Sequence, residues 1–202
     1  ANACEPVNKP DGTDCSDGRL CTRDDACAAG GCAGTPLTPA DCSDGNGATG
    51  DACVETVGCV HCLPATTVRT ALHVASPARS TLGVRGVLPS TALAGFAPAG
   101  ESVTVVIDAS GTEVTRVTLP AGALAANSIG TRLLYRDLRG TYGATRRLGL
   151  QTRRDGVRWT LRVAGVTLVA PAAKVTVRLV LGDTCFAADV ACSGPPTNVV
   201  CR

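Results

Sequence analysis

Methionine is absent from all 202 residues, and aromatics are few: one Trp, two Tyr and two Phe. A core must therefore be built from Val, Leu and Ala. The chain has little with which to stack on bases or sugar rings. Histidine occurs twice, at positions 61 and 73, and lysine twice, at 9 and 174. No run of 18 apolar residues exists, which excludes a membrane-spanning helix. Gly-x-Ser-x-Gly, His-Glu-x-x-His, Walker A and dinucleotide-binding patterns are all missing. Nothing points to a nucleophile, a catalytic metal or a nucleotide cofactor. Without an initiator Met, Ala1-Asn2-Ala3 reads as a mature start left by signal-peptide cleavage.

Cysteine is plentiful but unevenly spread. Nine of the twelve are in the first 62 residues: Cys4, Cys15, Cys21, Cys27, Cys32, Cys42, Cys53, Cys59 and Cys62. Cys185, Cys192 and Cys201 follow after a gap of 122 residues. Such density fits an oxidising, extracellular setting, and all twelve are candidate disulfide residues. Both counts are odd, so complete pairing requires at least one bond between head and tail, within one chain or between two. Cys192 can close a small loop with Cys185 or with Cys201. The spare tail cysteine is then expected to clasp Cys62.

The halves also differ in charge. Residues 1–62 hold ten acids and three bases, a balance of −7, and residues 63–202 hold seven acids and sixteen bases, a balance of +9. An acidic head can attract the basic body of a neighbouring copy, so self-association is one expectation.

Residues 1–62 show almost no apolar periodicity. A segment so small and polar needs disulfides to fold, and is expected to be a loop-dominated, cystine-held domain. Residues 63–202 alternate with period two. Val103, Val105 and Ile107 form one face; Val157, Trp159, Leu161 and Val163 another; Val175, Val177, Leu179 and Leu181 a third. Further candidate strands cover 67–75, 82–88, 113–119, 131–136, 145–151 and 166–169. Pro120–Ala126 reads as a short helix or a loop. The expectation is all-β: a β-sandwich of about eight or nine short antiparallel strands, with a cystine-bearing tail. Trp159 belongs to an apolar face and is expected in the core. The arginine pairs Arg146/Arg147, Arg153/Arg154 and Arg158/Arg162 are expected to face solvent. An anionic polysaccharide is a candidate partner there, and nucleic acid is not.

Within the head, two units share an opening. One runs Cys15-Ser-Asp-Gly-Arg-Leu-Cys21-Thr-Arg-Asp-Asp-Ala-Cys27. The other runs Cys42-Ser-Asp-Gly-Asn-Gly-Ala-Thr-Gly-Asp-Ala-Cys53. Each has a Thr seven residues after its first Cys, Thr22 and Thr49, which marks an imperfect tandem repeat. The first unit resembles the Cys-Thr-x-Asp-x-Cys repeat of slime-mould extracellular-matrix proteins. The second resembles the myxobacterial cysteine-rich repeat, with Ser43 and Ala52 as departures. The resemblance covers about residues 4–62 and implies an extracellular, non-catalytic module held by disulfides; the body resembles no family we recognise.

Asp44, Asn46 and Asp51 offer hard oxygen donors in a Gly-rich loop, so Ca²⁺ is the one candidate ligand ion. The competing account is that Asp and Asn cap turns. Cys59-Val-His61-Cys62 has zinc-type residues, but an oxidising setting favours disulfides. Together these features lead to an expected non-enzymatic structural subunit of a filament, matrix or surface assembly. A monomeric adhesin or carbohydrate-binding module is the alternative.

Overall fold

A computed structural model describes residues 9–74, 80–109, 112–137, 141–142, 145–166, 174–195 and 198–202. The chain divides into two compact units, Ala1–Cys62 and Leu63–Arg202. Among the described residues there is no helix.

The first unit is mostly loop, with two short hairpins set in it. It carries β1 (Thr22–Ala28), β2 (Gly31–Pro36) and β3 (Gly50–Val54), and β4 (Gly58–Pro64) begins in it. β1 pairs with β2, and β3 with β4, as antiparallel hairpins. Their Ala, Gly, Cys and Asp residues hide the period-two signal, because these types do not sort cleanly into apolar and polar faces.

The two hairpins are copies of one design. Cys15–Cys32 and Cys42–Cys59 are disulfides with the same sequence separation, 17 residues. Gly18 and Gly45 both take left-handed backbone, φ 76° and 75°. The Ser16 hydroxyl accepts the Gly18 N–H at 3.3 Å, and Ser43 accepts that of Gly45 at 3.2 Å. Asp17 Oδ1 accepts from the Arg19 N–H and the Thr22 hydroxyl, both at 2.9 Å. Asp44 Oδ1 accepts from the Asn46 N–H at 2.8 Å and the Thr49 hydroxyl at 3.2 Å. A Ser-Asp-Gly turn closed by Thr is therefore built twice, from side chains that hydrogen-bond the backbone locally. Copy one has a register shift in β1 between Arg23 and Ala26, with Asp24 at φ 53°, then a two-residue turn at Ala29–Gly30. Copy two has an unbroken strand and a three-residue turn at Glu55–Val57. The extra strand residue and the missing turn residue cancel, which preserves the separation of the half-cystines. Cys21–Cys53 ties one copy to the other.

The body is all-β. Its strands are β5 (Thr66–Val74), β6 (Ser80–Leu88), β7 (Val103–Ala109), β8 (Thr112–Leu119), β9 (Ala125–Ala126), β10 (Arg132–Arg136), β11 (Thr145–Arg153), β12 (Gly156–Ala164), β13 (Lys174–Leu181), β14 (Thr184–Ser193) and β15 (Asn198–Cys201). Hydrogen bonds join all eleven in one antiparallel path, β8-β7-β13-β14-β15-β5-β6-β12-β11-β10-β9. The expected strands are present as parts of one large curled sheet. Residue 166 lies outside any strand, and 167–169 are outside the described residues. Pro120–Leu124 is a loop leading into β9. The cystine-bearing tail is itself two strands, β14 and β15, and the sheet runs through them.

Alternation places the core. Val103, Val105 and Ile107 from β7, Val177 and Leu179 from β13, Trp159 and Leu161 from β12, and Leu148 and Leu150 from β11 share one buried cluster. Strands from both halves of the path contribute, so the curled sheet encloses a single core. Trp159 is 1% exposed, and an added Cβ on Gly86 would lie 2.5 Å from its Nε1. The bare glycine makes room for the indole.

Candidate functional site

The cysteines are structural. They form Cys15–Cys32, Cys21–Cys53, Cys42–Cys59 and Cys192–Cys201. Cys27, Cys62 and Cys185 are also disulfide-bonded, and Cys4 is outside the described residues. Of the two tail closures, Cys192–Cys201 is the one formed, between residues directly opposite on β14 and β15. Oxidation of Cys59 and Cys62 removes the thiolates that a zinc site at 59–62 would need.

The candidate calcium loop is arranged differently from the expectation. Asp44 and Asp51 come together, with His61 as a third group beside them. His61 is the cross-strand partner of Asp51. Its Nδ1 lies 3.1 Å from Asp51 Oδ1 and 3.8 Å from Asp44 Oδ2. Asn46 instead turns its side-chain oxygen to the Ala48 N–H at 3.0 Å, capping its own turn. The hydrogen bond from His61 is the main cause that holds the Asp51 carboxyl below its ordinary pKa. Two carboxylates and an imidazole suit zinc or manganese better than the all-oxygen shell of Ca²⁺. In the first copy, Asp25 Oδ2 accepts the Asp17 N–H at 2.9 Å, and Gly34 stands beside it. A Cβ on Gly34 would fall 1.8 Å from Asp25 Oδ1, so that copy has no room for an imidazole.

Most of the head's carboxylates are similarly occupied. Asp11 accepts the Ala29 N–H, and Asp41 the Thr38 N–H and hydroxyl. Glu55 accepts the Leu20 N–H and pairs with Arg19. The acidity of the head is largely the chemistry of turn closure.

The body holds an open groove of about 620 Å³ lined by Arg69, Arg85, Arg147, Arg162 and Arg202. No acidic residue lines it, and none of the five arginines forms an ion pair among the described residues. Arg69 stands opposite Arg85 on β5 and β6, and Arg162 opposite Arg147 on β12 and β11. Like charges directly opposite on a sheet destabilise it. The Arg147 Nε is buried without an acceptor. Ala71 and Gly83 form the floor, and a Cβ on Gly83 would meet nothing nearer than 3.8 Å.

Of the expected solvent-facing arginines, Arg146, Arg153, Arg154, Arg158 and Arg162 are exposed and Arg147 is half-buried; Arg158 pairs with Asp155 at 2.9 Å. Arg147 and Arg162 belong to the groove. Sequence alone does not single out Arg69, Arg85 and Arg202. Strand parity puts each on an outward face, but only the strand order makes them neighbours. The side chain of His73 is outside the described residues. Comparison with protein-family models, with curated proteins and with solved structures finds no match for this chain.

Proposed function

We propose that this is a non-enzymatic extracellular structural protein, a component of a matrix or surface assembly that holds its place by binding an anionic partner. The observation that carries this reading is the arginine groove. Five arginine side chains line it with no acidic side chain among them, so the groove favours an anionic partner. The cystine-stapled head supports the same reading. Its functional-looking acids close turns, and its cysteines are oxidised rather than poised as nucleophiles or ligands.

Light scattering and electron microscopy of the full chain at low salt, with and without an added polyanion, test the reading. Large assemblies in either condition support it. A monomer in both conditions, with no polyanion bound, would sink it.

A further inference from the structure

We propose that the groove binds a linear anionic polysaccharide with carboxylate or sulfate groups spaced along its length. This rests on the reading above and names the partner. The arginines are ordered as well as clustered. In sheet order, β5, β6, β12 and β11 contribute Arg69, Arg85, Arg162 and Arg147, one from each of four adjacent strands. Arg202, directly after β15, extends the row on the other side of β5. At the usual interstrand spacing, five such positions span roughly 19 Å across the strands, with a step of two residues between β6 and β12, where Arg85 faces Thr160 and Arg162 faces Gly83. A row of that length matches an extended polymer better than a single small anion.

The chemistry of the row narrows the occupant. Guanidinium groups take carboxylate and sulfate oxygens in paired hydrogen bonds, which a simple point charge does not. No aromatic residue lines the groove, so unstacked bases have no surface to lie on and single-stranded nucleic acid is disfavoured. The low floor at Gly83 leaves depth for a polymer backbone. The sheet does not need glycine there, since no atom crowds the position.

The test is titration calorimetry of the full chain with heparin and with polygalacturonate, using neutral dextran and single-stranded DNA as comparisons. Binding to either acidic polysaccharide, weakened by salt as surface electrostatics requires, is the expected result. The double variant Arg85→Gln/Arg162→Gln should lose at least tenfold in affinity. Its melting temperature should hold or rise, because two like-charge contacts are relieved. Gly83→Thr keeps every charge and raises the floor, and should also weaken binding. Arg158→Gln, outside the groove, should leave binding unchanged. Equal losses in Arg158→Gln and the double variant overturn the proposal, as does tighter binding of DNA than of either polysaccharide. If no polysaccharide binds yet the chain self-associates at low salt, the proposal falls and the structural reading stands.

Discussion

Gly86 sits under the indole of Trp159, on the strand next to it, with room for a hydrogen and nothing larger. Replacing it with alanine drives a methyl to 2.5 Å from Nε1, and neither the tryptophan nor the strand can retreat from a filled core. Gly86→Ala should destabilise by about 1–3 kcal/mol, as overpacking does. Gly83→Ala, three residues earlier and uncrowded, should be neutral or stabilising by up to about 1 kcal/mol. Urea unfolding of the pair measures both.

Tyr135 donates its hydroxyl to buried Asp137 at 2.9 Å. Burial, followed by that carboxylate, pushes the phenol up to about 12. Spectrophotometric titration should find one tyrosine ionising near that pH. Tyr135→Phe leaves the carboxylate short of a donor and should cost about 1–3 kcal/mol.

Acid should weaken the fold through its caps. Asp17, Asp41 and Asp51 are held below the ordinary 3.8, first by the Arg19 backbone N–H, the Thr38 hydroxyl and His61 respectively. Asp155 and Asp189 are lowered first by Arg158 and Lys174. In each case the unfolded chain binds the proton more tightly. The stabilisation is thus complete above 3.8 and is lost as pH falls below it, through the lowered folded values. Melting temperature should be flat at mildly acidic pH and drop below about pH 4. His61→Ala should raise the Asp51 pKa toward its ordinary value, as followed by carboxyl NMR shifts.

Removing the Cys192–Cys201 bond by a double alanine substitution opens a short loop, and should destabilise by about 2–3 kcal/mol. Non-reducing peptide mapping should recover this bond along with Cys15–Cys32, Cys21–Cys53 and Cys42–Cys59. The same maps test the parity expectation from the odd cysteine counts, by the partner found for Cys185. The intact mass before reduction tells whether that partner is in the same chain.

Much of the body was legible because Val, Leu and Ile alternate cleanly along β7, β12 and β13. The head was not, because half-cystines, Ala and Gly can serve either face. The tandem repeat was legible in Cys-Ser-Asp-Gly and Thr, and those residues make the matching turns. The metal reading missed His61, since sequence proximity says nothing of direction; the cross-strand register brought it to Asp51 from ten residues away. The groove was hidden for a related reason. Arg69 and Arg147 share one concave face only because β15, β5, β6, β12 and β11 fall in that order.

β15, the last strand in sequence, is not at an edge. It lies between β14 and β5, with Val199 and Cys201 in the core, and joins residues separated by most of the body. Residues 198–201 complete the pairing between these two strands, beside the hydrogen bond from the Ala65 N–H to the Ala187 carbonyl that also bridges them. Contacts this remote in sequence form slowly. A chain emerging N-terminus first would leave β14 and β5 each short of a central partner until β15 arrives.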